Sequence, residues 1–239
     1  MTTNNEHNSA FDRACHHAKK FRETLNKRLP HKTDHINDLL STFGEPTPEK
    51  GMPGAEIIDH LAEISEPGLL HSSGSRFFAW VTGSSNPVGV AADWLTSAWG
   101  QNCANVDCAP SGSAVEAVAS RWLLDLLHLP EECSVGFVSG DTMANFVCLA
   151  AARGELLHKA GWDVDRDGLF GAPNIRIIIG DEAHATVFQA LQYLGFGYGR
   201  VTKIAVDDAG RMLVEDFKEK LSQSDDPTIV LLQAGQINT

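Results

Sequence analysis

Three polar turns carry the residue types and spacing that could do chemistry: Ser139-Gly-Asp-Thr142, Asp181-Glu-Ala-His184 and Gly235-Gln-Ile-Asn-Thr239. The first joins a short apolar run to a helical pattern. A helix N-terminus presents unpaired N–H groups, a glycine lets a ligand approach the backbone closely, and Thr142 adds a hydroxyl. Those are the parts of an anion site suited to phosphate. The same residues have a plainer use, because Asp141 or Thr142 would serve as an ordinary N-cap. The Asp141 carboxylate also repels a phosphate unless it turns away. His184 opens the next helical pattern. It is either a capping or surface residue, or an imidazole placed to stack on a flat ring or move a proton.

These turns need a scaffold, and the second half of the chain has the pattern of one. Gly136–Ser139, Ile175–Gly180, Val201–Val206 and Thr228–Gly235 read as strands. Between them Met143–Ala160, His184–Leu194 and Val214–Leu221 read as helices. Strands that are apolar without alternation, separated by helices, predict an α/β fold with a mostly parallel sheet covered on its faces. In such sheets ligands gather at the carboxyl ends of the strands, where all three turns fall.

The first half is helical in pattern. Phe11, Ala14, Ala18, Phe21 and Leu25 mark one face of a helix stopped near Pro30, and Ile57, Ile58, Leu61 and Ile64 mark another that runs to Pro67. Gly44–Gly54 reads as a linker. Arg76–Val81 (RFFAWV) is strand-like. Asn86-Pro87 predicts a helix start, with Asn as the cap and Pro at the first helical position. Ser113 and Glu116 form a capping-box signature before Val115, Val118, Trp122 and Leu126.

Bulk properties exclude several classes. The net charge of -12 over 239 residues argues against a nucleic-acid or anionic-membrane binder. No apolar run approaches the ~20 residues of a membrane span. The polar start MTTNNEHNSA has no signal-peptide core, and five cysteines without a CxxC pair fit a reducing compartment, so a cytoplasmic location is expected. No metal site is expected. Asp163–Gly168 (DVDRDG) matches half of a calcium loop, but its twelfth position is Asn174 where a bidentate Glu is needed. The fingerprints GxGxxG, Walker A and GxSxG are absent.

The runs SRFFAWVTGSSNP, CAPSGSAVEAVASRWLLDLL, GFVSGDTMANFVCLAAAR, GDEAHATVFQALQYLG and LLQAGQINT, taken in this order, resemble the group II pyridoxal-phosphate-dependent decarboxylases, which include the aromatic-amino-acid and glutamate decarboxylases. The resemblance runs from about Leu70 to Thr239. It implies an aspartate-aminotransferase-like fold (fold type I), with an N-terminal helical segment over 1–70 that wraps a partner and a cofactor-binding large domain over 71–239. It implies pyridoxal phosphate as cofactor, an amino acid as substrate and a homodimer as the assembly. Gly140, Asp141 and Thr142 fall where the family holds the cofactor phosphate, although Asp141 stands where relatives commonly have a small residue. His184 falls on the histidine that stacks on the ring, and Gln236 on the turn near the ring hydroxyl. Trp80 and Thr82 fall in a segment that lines the substrate pocket; Trp80 serves equally as a core residue.

The family's Schiff-base lysine and the Asp that pairs with the ring nitrogen follow the turn at Gln236. The chain stops at Thr239, before either, and Lys203, Lys218 and Lys220 lack that context. The expectation is therefore the N-terminal part of a longer decarboxylase, with a truncated sheet and no activity alone. Another fold-type-I lyase, an aminotransferase and a non-catalytic degenerate chain stay open as alternatives.

Overall fold

Helix α1 (Asn4–Thr24) forms where the sequence repeats apolar residues every three or four positions, and it packs on α3 (Gly54–Ser65), although Phe11 of that stripe stays 67% exposed. A computed structural model describes residues 4–27, 35–44 and 46–235; Pro30 and Gln236 lie outside them. The described chain separates into two compact units, Met1–Ser113 and Ala114–Thr239.

In the first unit, α2 (Ile36–Phe43) precedes α3. One carboxylate oxygen ties α1 to α3: Asp59 Oδ1 lies 2.6 Å from Arg13 Nε and 2.7 Å from His17 Nε2. The Arg13 hydrogen bond, then that of His17, holds the Asp59 carboxyl below its ordinary range. A cleft of about 880 Å³ runs between these two helices. Helix α4 (Pro87–Trp99) begins as the sequence predicts, with the Asn86 side chain accepting the Val88 N–H and Pro87 at the first position. It ends at Gly100, whose φ of 58° is the left-handed conformation that suits glycine.

Two local expectations fail here. Arg76–Val81 is not a strand. Trp80 and Val81 have φ of 66° and 51°, which turns the chain back and prevents extended pairing. Helix α5 (Pro110–Leu126) starts three residues before the expected cap. The Ser113 N–H already donates to the Ala109 carbonyl at 3.0 Å, so Ser113 is inside the helix, where it cannot cap it. Pro110 tolerates the early start because a first-turn residue needs no N–H.

The second unit carries α6 (Asp141–Lys159), α7 (Val164–Asp167), β1 (Arg176–Gly180), α8 (Ala185–Tyr193), β2 (Val201–Ile204), α9 (Val214–Leu221) and β3 (Thr228–Leu231). The sheet order is β2-β1-β3, all parallel, with Ile178 facing Thr202 on one side and Val230 on the other. Ile177, Ile178 and Ile179 are buried because β1 is central and carries no polar alternation. Leu149 of α6 and Ala190, Leu191 and Leu194 of the α8 region join Ile177, Ile179 and Ile229 in the core. This is the expected α/β arrangement with a parallel sheet. Gly136–Ser139, expected as a further strand, makes no ladder among the described residues, and Phe137 there is 53% exposed.

The Asp163–Gly168 run is spent on α7, where Asp163 Oδ1 accepts the Arg166 N–H at 3.1 Å. Arg176 closes the far end of α9. Its guanidinium donates to the carbonyls of Lys220, Leu221 and Ser224 at 2.6, 3.1 and 2.9 Å. Among the described residues no helix is long and apolar enough to cross a membrane.

Candidate active site

Gly140 takes the N-cap position of α6, and among the described residues no side chain caps the helix. Neither Asp141 nor Thr142 plays the ordinary capping role: both are already helical, in the first turn. The first N–H groups of α6 are therefore open to a ligand. Gly140 is extended (φ 164°), so backbone strain does not explain the glycine. A Cβ at this position would meet nothing within 4 Å, so the space above the turn is open. Thr142 is half-buried and Asp141 exposed beside this turn.

The second turn lies beyond β1. The Asp181 N–H continues the ladder to the Ile204 carbonyl at 2.9 Å, and Asp181 Oδ1 pairs with Lys203 Nζ at 2.8 Å. His184 then caps α8, its Nδ1 accepting the Thr186 N–H at 3.3 Å. A backbone N–H can only donate, so this long contact favours the tautomer with Nδ1 unprotonated and the proton on Nε2. The capping reading of His184 is thus realised. It occupies Nδ1 and, among the described residues, leaves the exposed ring face and Nε2 uncommitted.

A short polar chain joins the two turns. Asn145, one helical turn into α6, donates from Nδ2 to Thr186 Oγ1 at 3.1 Å, and Thr186 Oγ1 lies 3.0 Å from His184 Nδ1. Helices α6 and α8 pack along their length, so the open N-terminus of one and the capping histidine of the other share a rim. Sequence reasoning overlooked Asn145 and Thr186. Their signals were the position of Asn145 one turn past the glycine and a hydroxyl residue two places after His184.

The profile of the pyridoxal-dependent decarboxylase conserved domain matches residues 37–237. The chain belongs to this family. It is 28% identical over 204 residues to an aromatic-L-amino-acid decarboxylase of Bacillus atrophaeus, covering 84% of this chain and 40% of that protein. It is 31% identical over 189 residues to an L-2,4-diaminobutyrate decarboxylase of Rhizobium meliloti, covering 78% and 34%. The fold superposes on mouse CSAD with a TM-score of 0.82 at 16% identity, over 95% of this chain and 47% of that one. Oryza sativa TDC, solved with PLP and tryptamine, gives 0.81 at 19% identity, over 92% and 46%. The chain thus spans two fifths or less of these curated relatives. The family resemblance and its fold are borne out.

Pyridoxal phosphate is the cofactor that gives the family its name, and the rim has features that fit it. An uncapped helix N-terminus with free space above Gly140 suits a phosphate, and a histidine fixed through one nitrogen suits a flat ring. Asp141 is the discordant residue, a carboxylate where an anion would sit. Trp80 and Thr82 lie in the first compact unit. Trp80 is 82% exposed, so it is not a core residue among the described ones.

Proposed function

We propose that these residues supply the phosphate and ring contacts of a pyridoxal-phosphate-dependent amino-acid decarboxylase. The observation that carries the proposal is the rim itself: the uncapped N-terminus of α6 tied through Asn145 and Thr186 to His184. Decarboxylase relatives support the reaction class.

In this reading the first N–H groups of α6 and the Thr142 hydroxyl hold the phosphate, and Gln236 is assigned to the ring hydroxyl. His184 lies on the ring face and keeps water from that side, with its Nε2–H available to position a substrate carboxylate. Trp80 and Thr82 line the substrate pocket. The cofactor, when bound, acts as an electron sink for the pair left behind as the carboxylate departs. We assign the helices of 1–70 to wrapping a second copy, 71–239 to the cofactor domain, and the protein to the cytoplasm. The exposed Asp141 carboxylate favours one second reading, a relative that binds the cofactor weakly and does not catalyse.

The test is a fluorescence titration of the 239-residue chain with pyridoxal phosphate and, separately, with pyridoxal. The phosphate form should bind more tightly, with inorganic phosphate competing. Equal binding of both, or of neither, rejects the phosphate cradle. Carbon dioxide release from aromatic and acidic amino acids by the native protein then separates decarboxylase from non-catalytic relative.

A further inference from the structure

We infer that Asn145 is a positioning residue that sets the tautomer and ring placement of His184 through the Thr186 hydroxyl. The argument is one of hydrogen-bond polarity. An amide nitrogen only donates, so Asn145 Nδ2 uses a lone pair of Thr186 Oγ1 at 3.1 Å. With that lone pair engaged, the Thr186 O–H is free to donate to His184 Nδ1, 3.0 Å away. Nδ1 also receives the Thr186 N–H, so two donors from one residue converge on it. The arrangement disfavours a proton on Nδ1 and assigns it to Nε2. Polarity therefore runs in one direction, from α6 through Thr186 into the imidazole.

Position strengthens the inference. Asn145 lies on α6 and Thr186 on α8, so the first link bridges two helices whose N-termini share the rim. Both partners of that bond are half-buried, and exchange with water is limited, so an unmade bond there is costly. Chemically Asn145 need not touch any ligand. It orders the group that would.

The consequence for cofactor binding rests on the function proposed above; the consequence for the histidine does not. Nitrogen-15 NMR of the full chain reads the tautomer of His184 directly, with assignment by loss of the signal in His184→Asn. In the unsubstituted protein above neutral pH the proton should reside on Nε2. Asn145→Asp is nearly isosteric and reverses the polarity, because its carboxylate accepts the Thr186 hydroxyl proton and withdraws that donor from Nδ1. The Nε2–H population should fall in N145D and, by less, in N145A, where Oγ1 has lost its Asn145 donor and accepts more readily from an Nδ1–H; T186S, which keeps a hydroxyl, should preserve it. Loss of one such hydrogen bond corresponds to about three- to tenfold weaker pyridoxal phosphate binding in N145A. A wild-type ring protonated on Nδ1 overturns the inference without any variant, and so does a tautomer unchanged in both N145D and N145A. A tautomer shift in a chain that binds no pyridoxal phosphate upholds the role of Asn145 and rejects the cofactor reading.

Discussion

Arg153 of α6 donates from Nη1 to the Leu194 carbonyl, at 3.0 Å, and so closes the C-terminus of the helix whose other end His184 caps. Cations suit helix C-termini because the last carbonyls lack partners and carry the negative end of the helix dipole. The contact holds α8 at the end remote from the rim. Among the described residues the Arg153 Nε is buried without a hydrogen-bond partner, which offsets part of the gain. Arg153→Ala should therefore destabilise the unit by about 1–2 kcal/mol in urea denaturation, and Arg153→Met by less, since it keeps the apolar stem. Hydrogen exchange should show the loss concentrated in α8. An even loss across α6, α8 and the sheet would refute the capping role.

Asp141 sits where two effects have opposite signs. A carboxylate in the first turn of α6 stabilises the helix by roughly 0.3–1 kcal/mol through the dipole. The same charge opposes a phosphate on the adjacent N–H groups. Asp141→Asn should lower the urea midpoint slightly yet strengthen binding of pyridoxal phosphate, with the gain shrinking as salt rises. Paired titrations at low and high ionic strength measure both. Weaker binding in D141N would show that the carboxylate faces away from the phosphate and supports the turn instead.

Much of this was legible because the responsible signals are local. The Ile177–Ile179 run declares a buried central strand, and Asn86-Pro87 declares a helix start; both are present as expected. Arg76–Val81 misled because apolar content alone does not reveal the left-handed φ of Trp80 and Val81. Ser113 misled because a capping box can lie within a helix whose start is set by Pro110. At the rim, the glycine, threonine and histidine were readable as types. The Asn145–Thr186 link was not, since it joins residues 41 positions apart and exists only once α6 packs on α8.

His184 has two separable roles, one structural and one proposed. Asn is a good N-cap, so His184→Asn should preserve the stability of α8 while removing the ring. His184→Ala removes both and should cost about 1 kcal/mol more in stability. If the ring meets the cofactor, the two variants should lose pyridoxal phosphate binding equally despite their different stabilities. Full binding by a stable H184N would leave His184 as a cap and nothing else.

Acid should loosen the second unit in part through Asp207 and Asp216, whose carboxyls are held below their ordinary value of 3.8. Asp216 is lowered chiefly by its hydrogen bond from Lys220, at 2.9 Å, and then by the Ala205 N–H at 2.7 Å. Asp207 is lowered chiefly by the Arg211 backbone N–H at 2.9 Å, within the turn that Val206 and Met212 close. A depressed folded-state value means the unfolded chain binds protons first as pH falls. The stabilisation is therefore fully present above the unfolded value of about 3.9 and is lost as pH drops through the lower folded values. Urea midpoints should change little with these groups between pH 7 and pH 5 and fall below about pH 4. Asp216→Asn removes one of these proton-linked groups, so the gap between wild type and D216N should narrow steadily on acidification. A constant gap from neutral pH to pH 3 would mean that Asp216 stabilises the β2–α9 junction by geometry, with its charge contributing nothing.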